Sequence, residues 1–468
     1  MRLSRILPHS SSDTRNPSSR PLPAAPGTPL FRSRIQSVLI QFVAPYSATT
    51  ALLRVTPTQM IRVAAGVAML LTAPSATAQR LTFGQALDVA AASSPRVDAR
   101  EATTAGARRT AVAADQLPDP KLDLNFNDVR LTQAERDPPF PNTYIRQTVG
   151  VRQDIPNAKK RHARAERASA DIVAAEAGEA VATRNVRIGA ALAWIDLYYA
   201  ERRLDILKKL AVQIDDLTQT IGARLTSGSA TAAQAFDPQI LKAQLSDRQS
   251  ERQAAIDKAR AQLIRWTGVA DPEIAGQAPS PAIDAERLRA GVATLPDLRA
   301  ADASIAQSEA DIALARAQKN PDISVTASLA RRQPQFGTFA SVGVSIDLPL
   351  FAKKRQDPRI DASVRAAQAA RLDRADAERA ALGALSSDLA DHRMYREKFE
   401  HARDLIVPLS RQRALAAQDS YAAGRIDLGS ALSETVALAN AEIDLLDREA
   451  ALERDAVRIM LVNTGDVR

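Results

Sequence analysis

The stretch YAAGRIDLGSALSE, Tyr421 to Glu434, lies between two segments that both carry a helical pattern. Its only breakers are Gly424 and Gly429. A helix that stops on a glycine and gives way to another within a few residues is a tight hairpin tip. An earlier copy of the tip is RLTSGSATAAQAFDP, Arg224 to Pro238, centred on Gly228. A lone glycine says little. Two at matched places, each after a long helical run, point to a chain written twice.

Other landmarks repeat in the same order. Ser94-Pro95 answers Leu295-Pro296, and Asp119-Pro120 answers Asn320-Pro321 at the same separation of 25 residues. QDIPNAKKR (153–161) answers IDLPLFAKKR (346–355), and Trp266-Thr267-Gly268 answers Asn463-Thr464-Gly465. The offset stays between 193 and 201 residues. Each copy predicts a moderate helix (96–116, 297–318), two strands, a very long helix (158–225, 359–422), a tip (226–237, 423–430) and a third helix (238–267, 430–462). The copies span 96–268 and 296–465, with flanking segments at 79–95 and 269–295.

The helices are spaced for lengthwise packing. Leu207, Leu210, Ile214, Leu217 and Ile221 form one seam. Leu382, Leu385 and Leu389 begin another, which Phe399, Ala402, Ile406 and Leu409 continue after an interruption at His392 and Arg396. Spacings of three and four, with abundant alanine between, are coiled-coil-like. Pro408 should bend or break its helix. Asp237-Pro238 reads as an N-cap followed by proline at the first helical position. A long helix of 68 residues would run roughly 100 Å, and the two shorter helices of the first copy, stacked end to end, about 78 Å. The segments 81–95 and 269–295 would fill the gaps.

Four strands alternate strictly, at 121–129, 143–155, 322–331 and 339–348. Leu122, Leu124 and Phe126 are separated by Asp123 and Asn125; Val149, Val151 and Ile155 share one parity. Ile323, Val325, Ala327 and Leu329 alternate with Ser and Thr, and Val342, Val344, Ile346 and Leu348 complete the set. Such lengths suit tilted strands with one face in lipid and one in a wet lumen. Four strands cannot close a barrel, and open edges are not tolerated in lipid. If the strands enter a bilayer, several copies must share one wall. Three copies would give twelve strands, although the count alone does not fix the number. The loops, 130–142 with Pro138, Pro139, Phe140 and Pro141, and 332–338 around Phe336-Gly337, differ between the copies.

Charge and composition exclude several classes. The chain of 468 residues carries a net +8, but residues 1–78 hold eight Arg and one Asp, so the rest is nearly neutral. No positive groove for nucleic acid is implied. Residues 1–59 are rich in Pro, Ser, Arg and Thr and read as an unstructured leader, or as untranslated sequence if synthesis starts at Met60. MIRVAAGVAMLLTAPSATAQ then has a basic start, an apolar core and a small-x-small cleavage site, a signal peptide at 60–78. There is no cysteine for a disulfide, a thiolate metal site or a lipid anchor. An enzyme is not expected: beyond the leader only His162, His392 and His401 occur, without a metalloprotease, phosphate-loop or nucleophile motif. No cofactor or tight metal site is expected either.

The segments LTFGQALDVA (81–90), LPDPKLDL (117–124), VRQDIPNAKKR (151–161) and the glycine tip after Tyr421 together resemble the outer-membrane efflux protein family, the TolC-like channels, over nearly all of 80–468. The LPDP and proline–basic elements are more similar to the heavy-metal, cobalt–zinc–cadmium branch than to the archetypal drug-export channel. The resemblance implies a mixed α and β fold: a homotrimer whose twelve strands form one outer-membrane barrel, continued by a long periplasmic α-helical barrel. It implies a passive exit duct of a tripartite efflux system. The partners would be a periplasmic adaptor, a proton-driven resistance–nodulation–division pump in the inner membrane, and outer-membrane lipid. Divalent metal cations would be the cargo; drugs or solvents are the alternative.

The same resemblance implies that the tips touch the adaptor. Tyr421, Gly424, Arg425, Leu428 and Leu432 match the second tip motif, and Arg224, Leu225 and Gly228 the first. The first tip departs from the pattern, since Gln234 to Pro238 replaces the usual acidic–leucine spacing. Some relatives narrow the pore with acidic side chains near the tip, which makes Asp427 a candidate constriction; a solvated cap is the plainer alternative. Two other readings stay open at this point: a periplasmic adaptor, which also has coiled-coil hairpins, and a soluble antiparallel coiled coil.

Overall fold

The computed structural model describes residues 79–127, 146–219, 221–228, 231–332 and 337–464. The expected leader, the loop 130–142, most of the loop 332–338, and strand residues 128–129 and 143–145 lie outside them. The described residues all fall in one compact unit, 74–468.

In chain order the elements are β1 (Gln79–Leu81), α1 (Phe83–Ala92), α2 (Pro95–Ala114), β2 (Lys121–Asn127), β3 (Arg146–Ile155), α3 (Ala158–Thr218), α4 (Ile221–Thr226), α5 (Asp237–Thr267), β4 (Pro272–Ile274), α6 (Ala285–Gly291), α7 (Pro296–Ala317), β5 (Ile323–Arg331), β6 (Thr338–Ile346), α8 (Ala352–His401), α9 (Val407–Ala422) and α10 (Leu428–Thr464). The order helix, two strands, long helix, tip, helix therefore runs twice.

Helix α3 is a spine of 61 residues, about 90 Å long. One stretch of it carries α2, through Arg108–Glu176 at 2.8 Å and Thr104 on Glu179 at 2.9 Å. A later stretch carries α5, through Arg260–Glu201 at 3.7 Å and the Lys242–Asp215 pair. The two shorter helices meet end to end where Ser93 Oγ donates to the Thr267 carbonyl at 2.9 Å. In the second half α8 carries α7 through Arg371–Glu309 at 2.6 Å, and α10 through Arg458–Asp388 at 2.8 Å.

The start of the second long helix is corrected. The second long helix starts at Ala352, not near 359, and holds Pro358 inside it. Pro358 is close enough to the start that its missing N–H leaves free only the carbonyl of Lys354 in the first turn. Near Pro408 the regular α-helix is interrupted locally, as expected, while the helical run goes on. Residues Ala402–Ile406 form one π turn, and Val407 N–H donates back to Ala402. Pro408 is then placed in the first turn of α9, where an N–H is not needed. The seam is corrected too: Ala402 is buried, but Leu382, Ile406 and Leu409 are exposed. His392 does not interrupt the seam; it is buried in it after Leu385 and Leu389. The first long helix ends at Thr218 and a short helix, α4, continues to Thr226.

The flanking segments clamp the middle. β1 pairs in parallel with β4, and Trp194 Nε1 donates to the Leu81 carbonyl at 2.9 Å. Phe83, Trp194, Tyr198 and Tyr199 make an aromatic run in this core, with ring centroids 5.1–5.6 Å apart. Thr82 opens α1 with a capping box closed by Gln85. On the other half, Leu288, Val292, Leu295 and Leu298 pack on Leu385, Leu389 and Ile459.

The four strands of the halves join in one antiparallel sheet, ordered β2-β3-β5-β6. The register places Leu122 opposite Val151, Leu124 opposite Val149, Val149 opposite Leu329 and Ala327 opposite Val342. All the alternating apolar side chains thus share one face. Among the described residues no helix is long and apolar enough to cross a membrane.

Candidate functional site

The apolar face of the sheet is uncovered. Leu122, Leu124, Phe126, Val149, Val151, Leu329, Val342, Val344 and Ile346 are all exposed, Phe126 at 68% and Val342 at 78%. Leaving such a set in water forgoes on the order of 10 kcal/mol. That is as much as the whole net stability of an ordinary domain, about 5–15 kcal/mol. The opposite face is polar, with Lys121–Asp154 at 2.7 Å and Arg152–Asp123 at 3.4 Å. Among the described residues both outer strands, β2 and β6, have a partner on one side only. An amphipathic sheet with two unpaired edges offers an apolar face and two rows of backbone groups for another surface or strand to cover.

The tips are built from the residues singled out by sequence. Gly424 sits at φ 73°. Its N–H donates to Tyr421 O at 2.9 Å, and Arg425 N–H to Ser420 O at 2.8 Å. This pair of bonds is a Schellman motif, which ends α9 within one residue. Asp427 opens α10: its Oδ1 accepts from Ser430 N–H at 2.6 Å, and its carbonyl from Ala431 N–H at 3.3 Å. Asp427 is therefore an N-cap on an exposed position, the plainer of its two readings. Gly228, at φ 72°, makes the corresponding bond to Leu225 O at 3.2 Å.

The two tips are stapled together. Arg224 Nη2 donates to Tyr421 O at 2.6 Å, and its guanidinium lies 4.0 Å from the centre of the Tyr421 ring. A cation at the last carbonyls of a helix suits the dipole as well as the hydrogen bonds. Tyr421, Leu428 and Leu432 are buried with Leu207, Leu210 and Ile214. They shape the tip and present no side chain to solvent. Leu225 is half-buried, while Gly228, Gly424 and Arg425 are exposed.

Asp237 is corrected by one position: it is the first residue of α5, Phe236 precedes it as the cap without a side-chain bond, and Pro238 is buried. Asp237 and Gln234 line a cavity of about 770 Å³ with Arg413, Asp427 and Glu434, and Arg413 pairs with Glu434 at 2.6 Å. Sequence reasoning missed Arg413 and Glu434. They lie 21 residues apart, and only the hairpin brings them together.

Away from the tips a second polar group is buried. Glu453 of α10 lies against Tyr199 of α3, and burial pushes its carboxyl up to about 7, with Glu449 adding to the rise. Its Oε2 has no hydrogen-bond partner. His392 is buried with its Nδ1 3.3 Å from Asp455, and His162 is exposed beside Glu166 on its own helix. Among the described residues no three His, Cys, Asp or Glu side chains come together as a metal-binding group.

Residues 292–462 match the family model described as outer membrane efflux protein. That family is one of non-enzymatic transport ducts. No curated protein matches the chain by sequence. The fold is similar to that of a membrane protein from Pseudomonas aeruginosa, with a TM-score of 0.67 at 18% identity over 81% of this chain and 89% of that one. It is similar to the CmeC outer membrane channel of Campylobacter jejuni, at 0.66 and 12% identity over 82% and 85%. It is also similar to the open state of the MtrE outer membrane channel of Neisseria gonorrhoeae, at 0.60 and 16% identity over 80% and 88%. The fold is thus that of the outer membrane channels.

Proposed function

We propose that the chain is an outer-membrane channel of a tripartite efflux system, a passive exit duct fed by an inner-membrane proton-driven pump through a periplasmic adaptor. The observation that carries this reading is the sheet: one face apolar and uncovered, the other charged and paired, with both edges free. Three copies would join these edges into twelve strands, with lipid outside and water within. The helices, packed lengthwise and continuous from the sheet to the tips, would extend the wall as a tube in the periplasm.

The adaptor would meet the tips. Exposed Gly228, Gly424 and Arg425 support a direct contact. For Tyr421, Leu428 and Leu432 the contribution is indirect, through the shape they impose. Arg224 serves as the staple and Leu225 packs beside it. Asp427 keeps its candidacy as a constriction only in the assembly, where copies of it would surround one axis and favour cations. Divalent metal cations are the proposed cargo, supported by the LPDP and proline–basic elements; drugs or solvents are the competing cargo. A duct needs no tight site, since tight ligation slows release.

The test is conductance. Purified protein in planar lipid bilayers should give stable pores, and the detergent-extracted particle should have the mass of three chains. A monodisperse monomer in detergent-free buffer, with no conductance, overturns the proposal. For the cargo, a deletion strain should lose resistance to divalent metal salts and regain it with the intact gene. Unchanged metal tolerance with increased sensitivity to drugs assigns the duct to the other cargo.

A further inference from the structure

Where α6 and the segment before it lie on α8, the second half leaves a cavity of about 430 Å³. That is within the range of small-molecule sites. Its floor is apolar, from Ile283, Ala285 and Leu389; its wall carries Arg289, Arg393 and Arg396, with the buried His392 between them. No carboxylate lines it.

In the adjoining groove Arg203 meets Asp447 at 2.5 Å, Arg454 meets Asp196 at 2.6 Å and Arg458 meets Asp388 at 2.8 Å. Arg289 is likewise held by Glu286 at 2.6 Å. Among the described residues Arg393 and Arg396 make no ion pair with a carboxylate. The side chain that Arg396 does touch is His392, Nη2 to Nε2 at 3.1 Å. With Nε2 accepting that bond, the proton sits on Nδ1, which faces Asp455 Oδ2 at 3.3 Å without a satisfactory hydrogen bond. His392 is 4% exposed, so this orientation of the guanidinium is fixed from beneath.

The first half shows what an occupied version of this place looks like. KKR at 159–161 and at 353–355 are 194 residues apart, and the same offset matches Tyr198 to His392 and Ile195 to Leu389. There Phe83 packs edge-on to Trp194, Trp194 stacks on Tyr198, and Arg202 lies 4.3 Å over the Tyr198 ring. The first half fills the site with its own aromatic rings. The second has Asp388 where the first has Trp194, and leaves the space open beneath two unneutralised guanidinium groups.

We infer that this cavity binds a small carboxylate or phosphate carrying a short apolar tail. The oxyanion head meets the forks of Arg393 and Arg396, whose planar donors suit bidentate recognition of either head group. The tail lies on Leu389 and Ile283. Bound there, the ligand ties the linker to α8. The inference stands whether or not the chain conducts.

The test is calorimetric titration of the full-length chain in neutral detergent at low salt, with hexanoate and hexyl phosphate as probes and hexylamine as the control. One saturable site per chain is expected for at least one of the anions and none for the amine; the two anions report which head is preferred. Arg393→Gln with Arg396→Gln should weaken binding about tenfold or more, and Arg109→Gln, at an exposed arginine of α2 far from the cavity lining, should not change it. No saturable anion binding, equal binding of the amine, or equal affinity in the double variant overturns the inference. Should the double variant lose helical signal, Ser386→Trp decides instead: it fills the cavity and leaves both charges, and retained affinity there is equally fatal.

Discussion

The two halves of this chain share one order of elements and differ in what they bury at matched places. Trp266-Thr267-Gly268 and Asn463-Thr464-Gly465 set the offset of the third helices at 197, which matches Ile256 to Glu453. The first half buries the isoleucine in its aromatic core; the second buries the glutamate against Tyr199. In the long helices Gly189 matches Gly383. A Cβ on Gly189 would lie 2.4 Å from the Trp266 ring, whereas one on Gly383 would meet nothing within 4 Å. The first half is closed with bulk, while the second keeps polar groups and space. One order of elements can therefore carry different buried chemistry in its two halves.

The largest test of this contrast is Glu453→Gln. The folded carboxyl at about 7 lies above its ordinary value of 4.5, so the folded state binds the proton more tightly than the unfolded one. Stability from this group is complete below about pH 4.5 and is lost as pH rises to about 7. The loss is on the order of 3 kcal/mol. The variant should flatten the pH dependence of thermal melting, followed by helical signal, and melt higher than the parent at pH 8. A parent whose melting is unchanged from pH 5 to 8 removes Glu453 from the contrast.

Gly189→Ala comes next. Trp266 must move, so a loss of about 2 kcal/mol is expected. Gly383→Ala should instead gain about 0.5–1 kcal/mol, as alanine does inside an open helix. Equal effects in denaturant melts would erase the distinction between a closed half and an open one.

The tips sharpen the same comparison. Arg224→Ala removes a charged bond to a helix end and a ring contact, about 2 kcal/mol of local stability. Hydrogen exchange should rise across Tyr421–Arg425 and leave the sheet unchanged. The smallest effect belongs to the caps. Asp427→Ala should cost about 1 kcal/mol. Asp237→Ala removes only a charge near the start of α5 and should cost about 0.5 kcal/mol. Amide protection at the starts of α10 and α5 ranks the two, and a larger loss at Asp237 reverses the assignment of caps.

What could be read from sequence followed from how locally each signal acts. The strands were legible because alternation with period two survives without knowledge of neighbours; Leu122, Leu124 and Phe126 declare a face by themselves. The tips were legible because Gly228 and Gly424 do a job that other residues do badly. The start of the second long helix was not, because Pro358 suggests a boundary when only one early carbonyl is affected. Pro408 hid a π turn for a similar reason. At Asp427 the sequence offered two readings, and the bond to Ser430 shows the cap at work. The role of Gly189 carries no local mark at all, since it depends on Trp266, 77 residues away. His392 looked like an interruption because polarity counts against burial until Asp455 and Arg396 are brought beside it.

The two unfilled rims of the sheet carry a consequence for the cell. A solitary subunit has no comfortable resting place: water repels one surface, and lipid repels the bare peptide groups at either margin. In the proposed channel, insertion and the meeting of sister chains would therefore happen together, or under escort. Under that proposal, output of finished assemblies should climb more steeply than linearly with synthesis, and surplus chains should clump or be degraded.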